Sequence, residues 1–404
     1  MSINKKSKVN RAITWLHLWL GLISGIIVFI VSITGCLFCF QNEITEMTHK
    51  KELFITPPKE NAKFLPLNIL KERAQLVLGK DEPISYITSY ANPNRSWEFM
   101  AYKEDDAQAI TFAQSIVYYK SVFINPYTGG VTGRIDYMHN FFVIVKYIHW
   151  SLFLSTPIGQ PIVGWSTLIF VILLITGIIM WWPKKWDKKH KERSFKIRWK
   201  AKWKRVNYDL HNVLGFYAFI IAIILGLTGM VFAFRWFQAT VYVAGSLSTK
   251  APEVKNYQSD TTVNYVDNPL NTALFTAKKA YPNAKRYFIT MPYSNKAAIN
   301  VIAYKYKEVY YEANTLYFDQ YTGKKLGIDL YAKKNNGEKL ILMNYDIHVG
   351  AIGGLIGKII AFLVSLVCAS LPITGFLIWL KRKKKKHKKP ISATIIDDNL
   401  PEPL

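Results

Sequence analysis

Leu16-His17-Leu18-Trp19-Leu20-Gly21 recurs 194 residues later as Leu210-His211-Asn212-Val213-Leu214-Gly215. At the same offset Thr34-Gly35 returns as Thr228-Gly229, and Tyr127-Thr128-Gly129 as Tyr321-Thr322-Gly323. Two further matches lie close to it: Ile148-His149 with Ile347-His348 at 199, and Thr176-Gly177 with Thr374-Gly375 at 198. Chance explains one short match easily and several at one offset poorly. The chain therefore reads as a tandem repeat whose halves each contain a helix, an outer domain and a second helix. Both halves run the same way, so the repeat is parallel, about an axis along a membrane normal.

The membrane enters through four apolar runs, at about 13–40, 162–182, 211–234 and 359–380. Each has roughly the ~20 residues that cross ~30 Å of hydrocarbon. The net charge of +25 calls for an anionic partner, and its placement selects which one. Residues 1–11, 183–210 and 381–404 hold 24 of the 52 Lys and Arg residues, against six acids. Each basic block abuts an apolar run, so the expected partner is membrane lipid with anionic headgroups rather than nucleic acid. The positive-inside rule puts all three blocks in the cytoplasm. Helices 1 and 3 then run outward, helices 2 and 4 run inward, and both termini are cytoplasmic. The first run is too long for a signal-peptide core and is expected to remain as an anchor.

The expected division starts with residues 1–40 as N-terminus and first membrane helix, and 41–138 as the first outer domain. Residues 139–182 follow as an outer interfacial segment with helix 2, and 183–210 as a basic cytoplasmic loop. The second half gives helix 3 at 211–234, an outer domain at 235–345, an outer segment with helix 4 at 346–380, and a basic tail at 381–404. Each outer domain reads as a small α+β unit. The first has a helix at 66–78 and strands at 84–90, 97–102 and 109–122. The second has a helix at 272–281 and strands at 286–291, 297–303 and 315–318, each with alternating apolar and aromatic residues. The Tyr-Thr-Gly turns follow the last strand of each unit, with glycine where positive φ is needed. Tyr127 and Tyr321 read as turn packing.

Four histidines carry the chemistry. His17 is six residues after Arg11, and His211 is six after Arg205, which places both at ~9 Å of helix from the cytoplasmic side. His149 and His348 precede helices 2 and 4, near the outer face. Two pairs result, one per leaflet, each with one member from each half. A single imidazole in a helical bundle can equally be an interfacial histidine with satisfied hydrogen bonds. Two symmetric pairs favour ligation. Structural zinc wants four protein ligands, whereas two axial imidazoles suit a haem iron whose porphyrin supplies the other four nitrogens. With no Cys-x-x-Cys-His, the haem would be non-covalent haem b, two per chain. Thr34 and Thr228 lie ~25 Å along the helix from His17 and His211, at the depth of the outer pair. Thr176 and Thr374 fall near the inner pair. The glycines beside them leave room for a porphyrin face or for close helix packing. His139, His190 and His387 read as surface residues. Cys36, Cys39 and Cys368 read as small hydrophobes.

The L-H-x-x-L-G starts, the Thr-Gly pairs, the Tyr-Thr-Gly turns and Trp181-Trp182-Pro183 resemble the PepSY-associated transmembrane family over roughly residues 10–385. That family includes iron-regulated inner-membrane proteins and FoxB-like siderophore-iron reductases. The resemblance implies a membrane all-α four-helix core with two small α+β PepSY-like periplasmic domains. It also implies two haems ligated by His17, His211, His149 and His348, and electrons passed to a ferric siderophore. No G-x-G-x-x-G follows a strand, so the electron donor is expected to be a separate cytoplasmic protein or a membrane quinol. Two other readings compete: a membrane-anchored PepSY regulator of envelope peptidases without enzymatic activity, and a di-haem relay to another periplasmic acceptor.

Overall fold

The first apolar run becomes helix α1 (Lys8–Phe38), capped by Ser7, whose hydroxyl accepts the Asn10 amide. Its 31 residues span ~46 Å at 1.5 Å per residue. After a short helical stretch come α2 (Leu67–Leu78) and strands β1 (Ile84–Tyr90), β2 (Trp97–Glu104), β3 (Ile116–Ile124) and β4 (Val131–Asp136). Helix α3 (Phe141–Ser151) then turns back into α4 (Thr156–Trp181). The second half opens with α5 (Trp203–Ala233), which carries a π-helical turn at Leu210–Leu214. It continues with α6 (Arg235–Ser246), α7 (Pro269–Ala280), β5 (Arg286–Thr290), β6 (Ile299–Tyr304), β7 (Ala313–Phe318) and β8 (Lys325–Asp329). It closes with α8 (Asn336–His348) and α9 (Gly354–Lys386). This computed structural model describes residues 7–58, 62–105, 108–183 and 185–386. His387 and the rest of the basic tail lie outside the described residues.

Among the described residues, helices α1, α4, α5 and α9 are the four that are long and apolar enough to cross a membrane. Close approaches fix their arrangement. Gly21 of α1 faces Leu173 of α4, and Gly25 faces Pro372 of α9. Gly226 of α5 faces Val171 of α4, and Gly215 faces Leu371 of α9. Each helix therefore runs antiparallel to its two neighbours in a closed ring. Leu174, Ala222 and Cys368 fill its centre. The outward faces carry Ile23, Ile26, Ile220 and Leu363, all more than half exposed. Such a surface is unstable against water and is satisfied by lipid. The chain is a membrane protein.

Outside the bundle, the two sets of strands do not form separate units. All eight join one antiparallel sheet in the order β4-β3-β2-β1-β5-β6-β7-β8. The seam is β1 against β5, with Ile87 opposite Ile289 and Thr88 opposite Phe288. One face of the sheet packs on α2 and α7. Phe99, Ile87, Val122, Ile289, Val301 and Leu316 share a single core there with Leu70, Ala74, Ala273 and Ala277. Asn68 and Asn271 bond side chain to side chain across the two helices at 2.8 Å. The expected strand at 109–122 begins only at Ile116. Thr111 and Gln114 form a capping box that winds Phe112–Ser115 into a helical turn first. Strands β4 and β8 follow the Tyr-Thr-Gly turns, which are therefore hairpin turns rather than sheet ends. Gly129 and Gly323 take the expected positive φ, 71° and 70°. Tyr127 and Tyr321 donate their hydroxyls to the carbonyls of Pro93 and Asn295, as turn packing requires.

Lys278 of α7 sits at the seam with its ammonium 4.5 Å over Trp97, 5.1 Å over Phe64 and 5.7 Å over Tyr287. Burial pushes its pKa down to about 8 from 10.5, although the ring faces offset part of that cost. The folded pKa lies below the unfolded one, so folding releases a proton between those two values. Stability should rise with pH through that window, and below pH 8 the cost of burying the charge is present in full. Lys278→Met is expected to raise the melting temperature at pH 7 by a few degrees and to flatten the rise above pH 8. Melting followed by tryptophan fluorescence in detergent checks both. An unchanged slope would mean that the rings compensate the burial completely.

Candidate functional site

His17 projects from α1 and His211 from the π-helical turn of α5. Their ring centroids are 6.4 Å apart, with the planes at 90°. His149 lies in the last turn of α3 and His348 ends α8, with centroids 6.0 Å apart and planes at 60°. The structure thus brings the four histidines together in the two pairs that depth assigns. The other described histidines lie apart from them. His139 is exposed beside Asp136, His190 bonds Asp187, and His49 bonds Thr48.

Each imidazole rests on a Thr-Gly seat of a neighbouring helix. At the inner pair, His17 Nδ1 meets the Thr176 hydroxyl at 2.8 Å and His211 Nδ1 meets Thr374 at 2.9 Å. At the outer pair, His348 Nδ1 meets Thr228 at 2.9 Å and His149 Nδ1 meets Thr34 at 3.3 Å. Every one of these hydroxyls donates its own hydrogen to the carbonyl four residues earlier, on Ile172, Ser370, Ile224 or Ile30. Only its lone pairs remain for the histidine. The carbonyl three residues before each threonine faces the same ring; His149 Nδ1 lies 2.8 Å from that of Val31. Leu173, Leu371 and Leu225 occupy the matching positions for His17, His211 and His348. A carbonyl can only accept, so His149 carries its proton on Nδ1. The matching seats of the other three rings call for the same tautomer, which leaves the Nε2 lone pair for a ligand.

The glycines stand against the histidine rings. A Cβ on Gly35 would lie 3.2 Å from His149 Cε1, and one on Gly375 would lie 3.2 Å from His211 Cε1. Gly177 and Gly229 stand at 3.4 and 3.6 Å from His17 and His348. The missing side chain makes room for the edge of the imidazole. Sequence reasoning also missed Asn207 and Asn344, each four residues before a second-half histidine. Their buried amides donate to the carbonyls of Thr374 and Thr228, at 3.0 and 3.1 Å. The spacing Asn-x-x-x-His, present twice, was the available signal.

The centroid spacings of 6.4 and 6.0 Å match the length of a linear imidazole–metal–imidazole unit. Two metal–nitrogen bonds of about 2.0 Å, with each nitrogen about 1.1 Å from its ring centre, give a centroid spacing of about 6 Å. Among the described residues no three His, Cys, Asp or Glu converge as a metal site. The remaining donors would have to come from a cofactor, and a porphyrin brings four in one plane. Cys36 and Cys39, free and buried, add no ligand to either pair.

The sheet is fastened beside the outer pair. Lys358, 5% exposed on α9, bonds Glu43 and Glu308 at 2.7 Å each. Asp346, two residues before His348, accepts the backbone amides of Tyr310 and Tyr311. At the inner end, buried Asp209 holds the Arg205 guanidinium at 2.8 Å and the Arg198 amide at 3.2 Å. Lys146 of α3 lies 5.0 Å over the Tyr147 ring.

Compared with curated proteins, the chain finds no match. A family model described as the PepSY-associated TM region matches residues 14–382, which takes in the whole sheet and all four membrane helices but for the outermost residues of α1 and α9. The chain belongs to the PepSY-associated transmembrane family.

Proposed function

We propose that the protein is a di-haem b oxidoreductase of a bacterial inner membrane that carries electrons across the bilayer to ferric siderophores in the periplasm. The observation that carries this reading is the set of four imidazoles, paired at opposite ends of the bundle, each with Nδ1 tied off and Nε2 free. His17 and His211 would hold one haem, His149 and His348 the other. When bound, the two groups supply one-electron redox chemistry at two depths. The chain's own work is to fix ring orientation and tautomer, to keep water out with an apolar bundle, and to hold the sheet over the outer pair. One electron, drawn from a cytoplasmic or quinol donor, converts Fe(III) in the chelate to Fe(II), which siderophores bind weakly and release.

The basic segments at one end of the bundle support cytoplasmic termini, with the sheet on the periplasmic side. In this reading the sheet is two PepSY-like units joined edge to edge, and the chain is a parallel tandem repeat. The visible spectrum of purified protein from haem-replete cells tests the proposal. The expected result is a red protein with a reducible b-type spectrum and two haems per chain. A colourless preparation would overturn it and favour the membrane-anchored regulator.

A further inference from the structure

The Asn207 and Asn344 amides join each second-half histidine to its seat, and we infer that both are positioning residues for those rings. The inference rests on the di-haem reading for its redox consequences, and on geometry alone for its structural claim. Asn207 and His211 lie one turn apart, so they project from the same side of α5. The asparagine holds the backbone carbonyl of Thr374, and the histidine bonds the hydroxyl of the same residue. Asn344 and His348 repeat the arrangement on α8, with the carbonyl and hydroxyl of Thr228. Both asparagines are almost fully buried, at 1% and 4% exposure. A buried amide that makes such a bond resists sliding of one helix past the other, because breaking it leaves a donor and an acceptor unsatisfied in an apolar setting.

The first half has no counterpart. Four residues before His17 stands Ile13, and four before His149 stands Val145. Among the described residues each pair therefore contains one ring in a doubly tethered seat, His211 or His348, and one, His17 or His149, with no amide four residues before it. The tethered ring sets the geometry of its pair, and the other adjusts to it. The hydrogen bond at the far nitrogen also governs how strongly an imidazole donates to a metal, so a loosened seat changes the metal's electronic properties and not only its retention.

The test uses full-length Asn207→Leu and Asn344→Leu, with Asn207→Gln and Asn344→Gln as the variants that keep an amide. Electron paramagnetic resonance and redox titration read the two centres separately. Asn207→Leu is expected to convert part of the inner centre from the low-spin bis-imidazole signal to a high-spin one and to shift its midpoint potential, leaving the outer centre unchanged. Asn344→Leu should do the reverse, and the glutamine variants should restore part of the native signal. A second arm does not depend on haem: 15N-histidine NMR of the wild type should report the Nδ1–H tautomer for His211 and His348. The leucine variants should mix the tautomers at the matching residue alone. A wild type without haem would end the di-haem reading, while the tautomer arm would still decide this one. Unchanged potentials, spin states and tautomers in folded leucine variants would overturn it, as would equal disturbance of both centres by either substitution.

Discussion

His348→Ala is expected to abolish reoxidation of the reduced protein by ferric siderophores while the inner pair still holds a reducible haem. The outer pair alone lies beside the sheet, and His348 supplies one of its two free Nε2 atoms. Without it a haem there would be held by His149 alone, whose partner ring lies 6.0 Å away in the wild type. His149→Ala should give the same phenotype, and His17→Ala and His211→Ala should instead damage the inner centre. Redox titration with haem counting checks the grouping. If His17→Ala and His149→Ala removed the same haem, the assignment of one pair to each end of the bundle would be wrong. Stopped-flow mixing with hydroxamate, catecholate and citrate chelates, with an Fe(II) trap present, checks turnover. Haem-loaded wild type that none of these reoxidises, but another periplasmic acceptor does, would replace the siderophore reading with a general electron relay. His139→Ala and His190→Ala touch neither pair and should leave both centres intact.

The paired histidines were legible in the sequence because the segments matched at an offset of 194 to 199 place equivalent residues at similar distances along their helices. Counting 17 residues of helix from His17 to Thr34 then finds the opposite pair. What the count cannot supply is side-chain direction. The Thr-Gly pairs were placed at the right depth, but only the geometry shows the glycine receiving an imidazole edge and the threonine accepting Nδ1–H. The tautomer, on which ligation depends, follows from those directions. In the sheet, β1 and β2 announced themselves by alternation, whereas β4 and β8 are short edge strands whose polar sequences, such as Val131-Thr-Gly-Arg, read as loop. The seam between β1 and β5 joins residues about two hundred positions apart. No local pattern encodes such pairing, so two separate units were the natural expectation. The capping box at Thr111 was present as a motif, but the β-branched and aromatic run after it masked the helical turn.

Gly35→Val and Gly375→Val are expected to cost one centre each while the other remains at full occupancy. A Cβ at either position stands 3.2 Å from the Cε1 of the histidine it faces, which is closer than carbon atoms normally pack. The two γ-carbons of valine would extend into the ring. His149 cannot withdraw without breaking its bond to the Val31 carbonyl at 2.8 Å, nor His211 without leaving Thr374 at 2.9 Å. Once Nδ1–H loses its acceptor the tautomer is no longer fixed, and Nε2 is no longer kept free for a ligand. The loss should therefore be local, at the outer centre for Gly35→Val and at the inner one for Gly375→Val. Gly21→Ala provides the control, because its nearest neighbour, Leu173 Cδ2, is 3.8 Å away and in ordinary contact. It should keep both centres. The measurement is haem per chain with separate redox titration of the two centres, and retention of the distant centre distinguishes a displaced ligand from a misfolded bundle. Full occupancy of both centres in the valine variants would mean that the rings can retreat from their seats, and that the Thr-Gly pairs serve helix packing instead.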